Sequence, residues 1–213
     1  MARDKRAAYT DWTYWGRPVP GFGDEHARIL ILGLAPAAHG ANRTGRVFTG
    51  DGVGGSGDFL MAALHRARLA NIATSRHPDD GLTLSGVYIA AAVRCAPPQN
   101  RPTPDEIATC LHHLEAELAC LPRVDTVVSL GRIAWDAWLQ LLARHTALPR
   151  PRPAFGHGVV VDWPAQAQAS GPLRSGLAHR LVGCYHPSRQ NTNTGMVTAV
   201  MYDAVFQTVA RRR

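Results

Sequence analysis

Four short apolar runs along the chain have the content of Ile, Val, Leu and Ala that is typical of buried strands. They cover residues 27–32, 83–93, 124–131 and 180–185. A fifth and shorter run, residues 158–162, predicts one further short strand. Strands that are apolar on both faces are typical of parallel sheets covered by helices.

Segments with helical periodicity separate these runs. Apolar residues recur at spacings of three and four from Phe59 to about Ala70, which predicts an amphipathic helix. Thr103-Pro-Asp-Glu106 is a capping box with proline at the first helical position, and further helices are expected around Trp135 and over residues 197–213. This alternation predicts a three-layer α/β/α single domain around a central, mainly parallel four-stranded sheet.

The size and charge of the chain limit its class. Its 213 residues, 46% of them hydrophobic, suit one domain, which we place at residues 27–213. An irregular arm, residues 1–26, precedes this domain. We expect the aromatic residues of the arm to pack on the domain rather than to stack on bases. No apolar run reaches the ~18 residues of a membrane span, and the start resembles no secretory signal, so a cytoplasmic protein is expected. The net charge of +7 favours a polyanionic partner, although a basic protein without one has the same charge.

A nineteen-residue loop, Gly33–Asp51, follows the first strand. A strand that opens into a Gly-, Ala- and Pro-rich loop places backbone amides at the carboxyl edge of a sheet, where open α/β folds bind their ligands. Loops of this length in compact domains are uncommon and usually functional. We therefore expect the binding site here, since an exposed connector of small residues would not account for Phe48.

The next segment, Gly50–Gly57, matches the Gly-x-Gly-x-x-Gly pattern of dinucleotide-binding folds. That fingerprint must follow its strand immediately, whereas here the strand ends near Gly33. A flexible loop insertion is the favoured interpretation. A dinucleotide-dependent oxidoreductase is the alternative, which titration with a nicotinamide cofactor would test.

Two long motifs follow the first and the last of the main strands. The first is Gly33-Leu-Ala-Pro-Ala-Ala-His-Gly-Ala-Asn-Arg-Thr-Gly45 with Phe48-Thr-Gly-Asp51, and the second is His186-Pro-Ser-Arg-Gln-Asn-Thr-Asn-Thr-Gly195. They resemble the motifs of the family-5 (type-b) uracil-DNA glycosylases, and the resemblance extends from about Asp11 to the last helix. It implies a monofunctional DNA glycosylase of base-excision repair that flips out and excises uracil and other deaminated bases, such as hypoxanthine and xanthine.

The resemblance assigns catalytic roles to residues of these loops. His186 would donate a hydrogen bond to the base as negative charge develops on it, and Phe48 would stack on the flipped base. Asp51 is the natural carboxylate for the attacking water, and Asn100 the natural amide for the base. Each has an ordinary alternative: a loop-capping His186, a core Phe48, a turn residue at Asp51 and a loop cap at Asn100.

The expected pocket departs from that of the better-known uracil glycosylases. Leu34 and Ala35 stand where those enzymes have a carboxylate that handles the water. Ala37 replaces a bulky aromatic that excludes 5-methyl bases, and Ala91 replaces an Asn that reads uracil. A wider pocket and a broader substrate range follow from the resemblance to family 5. The expected substrate-binding residues are Gly33, Ala35, Pro36, Ala37, Phe48 and Ala91.

The loop of the second motif is polar and suited to DNA. Its residues Ser188, Arg189, Gln190 and Asn191 are expected to contact phosphates and the gap left by a flipped nucleotide, although a polar surface loop would have the same composition. The expected partner is damaged DNA, double-stranded or single-stranded. The protein is expected to act as a monomer.

Four cysteines at irregular spacing do not predict a disulfide framework. Cys110 falls in the apolar stripe of a predicted helix, as a buried thiol would. The resemblance instead implies that Cys95 and Cys110 ligate a [4Fe–4S] cluster together with an N-terminal Cys-x-x-Cys. This sequence lacks that pair, since Cys120 and Cys184 do not match its positions. We expect that the chain starts downstream of the pair, and the alternative is a member without the cluster.

The missing carboxylate and cysteines also allow a different class of function. A DNA-damage binding module with the same fold and little or no turnover would tolerate both losses. Incubation with a uracil-containing duplex followed by alkali separates the two hypotheses, because alkali cleaves the strand at the abasic site that an enzyme leaves, whereas a binder only shifts the mobility of the duplex.

Overall fold

The computed structural model describes residues 3, 5, 7–162 and 178–211. Six strands and six helices lie in these ranges, with 3-10 turns at Ala7–Tyr9 and Pro98–Asn100. The strands are β1 (Phe22–Gly23), β2 (Ile29–Gly33), β3 (Val87–Ala91), β4 (Thr126–Leu130), β5 (Val160–Asp162) and β6 (Arg180–Cys184). The helices are α1 (Ala41–Thr44), α2 (Ser56–Arg66), α3 (Pro104–Ala119), α4 (Arg132–Leu142), α5 (Arg189–Asn193) and α6 (Ala199–Ala210).

The strands form one sheet in the order β1-β3-β2-β4-β6-β5. The four central strands are parallel, with Ile31 of β2 opposite Ile89 of β3 and Val128 of β4. They are the four strands that the sequence predicted, and the α/β fold class is confirmed. The sheet is larger than the expected four strands because β1 and β5 pair antiparallel with its two outer parallel strands.

Alternate side chains of the central strands enter two separate cores, as the strand geometry requires. Ile31 packs in the core under α2 and α6, whereas Leu30 and Leu32 pack in the core under α3 and α4. Trp135 and Trp138 are fully buried in the second core. Helices therefore cover both faces of the sheet, which gives the three layers.

The start of α3 agrees with the prediction, whereas the boundaries of α2 and α6 differ from it by a few residues. The capping box at α3 is present, because the Thr103 hydroxyl accepts from the Glu106 amide at 3.2 Å and Glu106 accepts from the Thr103 amide at 2.7 Å. α2 begins at Ser56, three residues before the predicted start. The predicted last helix, residues 197–213, is α6 in the structure, and its final two residues lie outside the described ranges.

The N-terminal arm packs on the Gly33–Asp51 loop. The Tyr9 ring stacks on His39 with centroids 5.7 Å apart, and the Tyr14 hydroxyl is hydrogen-bonded to His39 Nδ1 at 2.7 Å. The Arg43 guanidinium lies over the Trp12 ring at 3.9 Å. The arm thus covers the outer side of the loop in which the site was expected. Among the described residues, no helix is both long enough and apolar enough to cross a membrane.

Candidate active site

A cavity of about 330 Å³ opens at the carboxyl edge of the sheet, between the ends of β2, β3 and β6. The nine residues expected to be catalytic or substrate-binding all line it, together with Ser188 of the expected DNA-binding set. They converge because the carboxyl ends of parallel strands meet at one edge of a sheet. The lining is Gly33, Leu34, Ala35, Pro36, Ala37, Ala41, Val47, Phe48, Asp51, Ser56, Ala91, Asn100, His186 and Ser188.

Another cavity, of about 340 Å³, lies at the opposite edge of the sheet, near the first residues of β2, β4 and β6. Its lining arginines Arg28 and Arg180 form ion pairs with Asp125 and Asp162. Open α/β sheets bind ligands at the carboxyl edge. We therefore assign the site to the first cavity.

Phe48 has a backbone conformation that aromatic residues rarely adopt, with φ of 51°. Two glycines make room for it: a Cβ on Gly33 would lie 2.9 Å from the Phe48 ring, and a Cβ on Gly57 would lie 2.1 Å from the Phe48 carbonyl oxygen. The Phe48 and His186 ring centroids are 6.0 Å apart with their planes at 33°. The fold thus holds an aromatic ring beside the imidazole, in a strained conformation of the kind that clusters at active sites.

Asp51 is partly exposed to the cavity, and its carboxylate is closely enclosed. A Cβ on Gly40 would lie 1.9 Å from Asp51 Oδ1, so a side chain there would displace the carboxylate. The Gly57 amide donates to the Asp51 carboxylate, and Arg189 Nη2 donates to the Asp51 carbonyl at 3.2 Å. Burial raises the pKa of Asp51 above its ordinary value, and the charge of Arg189 is the largest opposing effect. A carboxylate in this environment is a better proton acceptor than an exposed one.

His186 lies two residues after β6 and faces the cavity. Burial lowers the pKa of His186 to about 4, so its imidazole is neutral at pH 7. Asn191 Nδ2 donates to the His186 carbonyl at 2.8 Å, which fixes the backbone beneath the ring. Within the described ranges, neither ring nitrogen of His186 has a hydrogen-bond partner, so both remain available to a bound base.

Asn100 lies at the exposed rim of the cavity, at the end of the 3-10 turn. Its φ is 56° and that of Gln99 is 53°, so two consecutive non-glycine residues adopt the left-handed conformation. On the other walls, Ala91 is buried at 4% exposure and Ala37 is exposed at the edge. Methyl groups rather than hydrogen-bonding groups therefore form these sides of the cavity.

The expected DNA-binding residues divide into two pairs. Ser188 and Asn191 are used within the protein, because the Ser188 hydroxyl accepts from the Asn191 amide at 3.2 Å and so starts α5. Arg189 and Gln190 are exposed, and Arg189 also contacts the Asp51 carbonyl. The expected loop of residues 186–195 thus contains a short helix, which a serine at its N-cap position could have indicated.

Sequence analysis did not identify two buried arginines that support the site. Arg43 is 6% exposed, and it donates to the carbonyls of His39 and Gly50 at 2.8 and 2.9 Å. Arg46, also 6% exposed, forms an ion pair with Asp80 at 2.8 Å. Both hold the loop from inside. The available signal was their position between glycines and apolar residues in the first motif, where a solvated charge is not expected.

The cysteines supply half of the ligands that a cubane requires. Partial burial is the main cause that raises the pKa of Cys95, and the Cys110 thiol is the second cause. This interaction between the two thiols indicates that Cys95 and Cys110 lie near each other. Cys184 is buried in β6, where burial raises its pKa to about 12, and Cys120 is exposed at the end of α3. The part of the chain that the structure describes contains no group of three or more Cys, His, Asp or Glu side chains able to hold a metal. The residues present therefore do not by themselves fit a [4Fe–4S] cluster, which needs four ligands.

Comparison with known proteins identifies the class. Residues 20–210 match the family model described as the uracil DNA glycosylase superfamily. The chain is 50% identical to the type-5 uracil-DNA glycosylase of Mycobacterium tuberculosis (strain CDC 1551 / Oshkosh) over 204 residues, which are 95% of this chain and 69% of that protein. The chain therefore belongs to the type-5 uracil-DNA glycosylase family, as its two motifs indicated.

Two further relatives refine this assignment. The type-5 uracil-DNA glycosylase of Thermus thermophilus is 47% identical over 207 residues, 97% of this chain and 85% of that protein. The type-4 uracil-DNA glycosylase of Pyrobaculum aerophilum is 32% identical over 133 residues, 62% of this chain and 58% of that protein. The prediction that the chain is an enzyme, a hydrolase of glycosidic bonds, is confirmed.

Proposed function

We propose that this protein extrudes a damaged nucleotide from DNA and hydrolyses the N-glycosidic bond of uracil and of other deaminated bases, including hypoxanthine and xanthine. The observation that carries the proposal is the single cavity lined by Phe48, Asp51, Asn100 and His186. Its volume, about 330 Å³, is within the range of small-ligand pockets. One chain builds the whole cavity, which supports action as a monomer.

The base side of the cavity stabilises the leaving group. As the bond between C1′ and the base nitrogen breaks, its electron pair moves onto the base. Neutral His186 donates a hydrogen bond to a base oxygen there without bringing a full positive charge into a buried site. Phe48 stacks on the base, and the Asn100 amide hydrogen-bonds to its edge. A buried donor aimed at developing charge is worth roughly 3–4 kcal/mol of transition-state stabilisation.

The sugar side of the cavity supplies the water. Asp51 orients a water molecule towards C1′ and accepts its proton as the new C–O bond forms. Arg189, the strongest of the charges acting on this carboxylate, favours its ionised form, whereas burial makes it more basic. None of the lining residues is a lysine, so the cavity has no amine to form a Schiff base. This composition supports a monofunctional glycosylase.

The methyl walls support the breadth of the proposed substrate range. Ala37 and Ala91 leave space beside the base and present no hydrogen-bond pattern matched to uracil. A purine such as hypoxanthine is therefore accepted on steric grounds. The discrimination expected from a purely apolar contact of this kind is modest, on the order of 10–200-fold per methylene.

The cluster is proposed separately from the chemistry. We propose that Cys95 and Cys110 provide two of the four thiolates of a [4Fe–4S] cluster, on the basis of their proximity and of the family resemblance. Such a cluster would fix the Pro-rich segment that carries Asn100 against α3. No step of the hydrolysis depends on it.

Oligonucleotide duplexes with a single uracil, hypoxanthine or xanthine test the proposal. Alkaline cleavage after incubation measures base release, and wild-type protein should act on all three substrates. His186→Ala should reduce single-turnover release at least a hundredfold while DNA binding changes little, because the donor acts mainly in the transition state. A mobility shift without cleavage would instead identify a damage-binding module, and cleavage of the uracil duplex alone would refute the wide pocket only.

A further inference from the structure

Side chains, rather than strand pairing, hold the backbone on both sides of the His186 ring. β6 ends at Cys184, so Tyr185 lies beyond the last paired position of the sheet. The Tyr185 carbonyl accepts from the Tyr202 hydroxyl at 2.6 Å. The next carbonyl, that of His186, accepts from Asn191 Nδ2 at 2.8 Å. Two consecutive carbonyls therefore obtain their hydrogen bonds from side chains of α6 and α5.

The Tyr202 hydroxyl is a donor at a fixed position. The side chain is fully buried, and the Phe59 ring of α2 packs edge-on against it with the centroids 5.0 Å apart. Burial raises the pKa of Tyr202 well above its ordinary value, so the hydroxyl keeps its proton. Close packing leaves an aromatic ring in a core little freedom to move. The oxygen that reaches Tyr185 is therefore fixed by the contacts of its own ring.

His157 holds the amide of the same residue. The Tyr185 amide donates to His157 Nδ1 at 3.2 Å. Because Nδ1 accepts this hydrogen bond, the proton of the neutral ring lies on Nε2, which donates to the Met201 carbonyl at 3.3 Å. The His157 ring is stacked on that of Tyr202, with centroids 6.4 Å apart. His157 thus connects Tyr185 to α6 a second time, and both polar backbone groups of Tyr185 are held by side chains.

We propose that Tyr202 and His157 are positioning residues that hold the His186 imidazole at the place where it donates to the departing base. This inference rests on the role of His186 in the proposed function. Neither residue belongs to the lining of the cavity, so both would act through His186 and not on the substrate. Without the Tyr202 hydroxyl, the buried end of β6 loses a fixed contact one residue before the donor. A misplacement of about 1 Å in an active site can cost about a hundredfold in rate.

A double-mutant cycle tests this inference. Tyr202→Phe removes only the hydroxyl and should slow single-turnover release of uracil from a duplex about tenfold, a part of the loss that His186→Ala causes. In a His186→Ala background the same substitution should change the rate less than twofold, because the group that it positions is absent. An unchanged rate in the wild-type background, or equal losses in the two backgrounds, would overturn the inference.

Tyr88→Phe is the matched control. It also removes a partly buried hydroxyl from a tyrosine, but this hydroxyl donates to Glu117 at 3.4 Å, and Tyr88 packs on the core under α3 and α4. Release should stay within twofold of wild type. His157→Ala, at a half-buried position, repeats the cycle if Tyr202→Phe does not fold. It should slow release in the wild-type background and change it less than twofold in the His186→Ala background.

Nuclear magnetic resonance of the His186 ring gives a readout that does not depend on turnover. The ring signals are assigned by their loss in His186→Ala. Tyr202→Phe should shift or broaden them, whereas Tyr88→Phe should leave them unchanged. Unchanged signals in Tyr202→Phe would overturn the inference. Absence of base release by wild-type protein would instead refute the proposed function, and the ring signals would still decide whether Tyr202 positions His186.

Discussion

The buried imidazole of His186 makes a quantitative prediction about stability at low pH. The pKa of His186 is about 4 in the folded protein, against an ordinary value of 6.5. Because the folded pKa is depressed, the unfolded chain binds a proton at higher pH than the folded one. The contribution of this residue to stability is therefore complete above pH 6.5 and is lost as the pH falls towards 4.

The size of the effect follows from the two pKa values. At pH 5 the unfolded imidazole is almost fully protonated, whereas the folded one is only about one-tenth protonated. Linkage then gives a loss of about 2 kcal/mol of unfolding free energy between pH 7.5 and pH 5. Solvent in the open cavity screens part of this penalty, so we expect a loss of about 1–2 kcal/mol.

Urea unfolding of wild type and of His186→Gln at the two pH values measures this quantity. Glutamine keeps a neutral hydrogen-bond donor and does not titrate, and the other nine histidines are the same in both proteins. The variant should lose about 1–2 kcal/mol less than wild type between pH 7.5 and pH 5. Equal losses, within about 0.5 kcal/mol, would show that His186 titrates like an exposed histidine and would remove the argument for a neutral donor.

Three further predictions concern the loop, the core and the cluster. Gly40→Ala places a Cβ against Asp51 Oδ1 and should slow base release at least tenfold in single-turnover assays; release within twofold of wild type would contradict the role of Asp51. Phe206→Ala, at a fully buried site, should cost about 3–5 kcal/mol in denaturant unfolding. The 213-residue polypeptide should retain fewer than four irons per chain after anaerobic reconstitution, because Cys95 and Cys110 supply two thiolates of the four required. A count of four irons per chain that falls in the Cys95→Ser variant would refute this prediction.

The convergence of the site was predictable because it depends on strand order along the chain. Gly33 and Ala91 end β2 and β3, and His186 follows β6. Apolar runs place these strand ends within a residue or two, and a parallel sheet brings them to one edge. The resemblance of the two motifs to a known family then assigned the side chains, and ten of the fourteen lining residues were anticipated in this way.

The parts that sequence reasoning missed depend on contacts between distant segments. From the sequence alone, Arg46 would be interpreted as an exposed surface charge. In the structure it is paired with Asp80, which lies 34 residues away in the chain. The positive φ of Phe48 likewise requires Gly57, whose missing Cβ leaves room for the Phe48 carbonyl. No local pattern encodes such pairs, because each residue alone is compatible with an ordinary loop.

The alanine side chains that line the cavity have a consequence for how the protein selects its substrate. A pocket whose sides are the methyl groups of Ala37 and Ala91 has little means of refusing an undamaged base by its chemistry there. If the substrate range is as wide as we propose, refusal occurs mainly before entry, when the nucleotide leaves the helix. A mispaired base leaves at lower cost than a base in a Watson–Crick pair. Under the proposed function, such an enzyme would inspect how firmly each base is held by its partner, and intact DNA would be protected mainly by its own pairing.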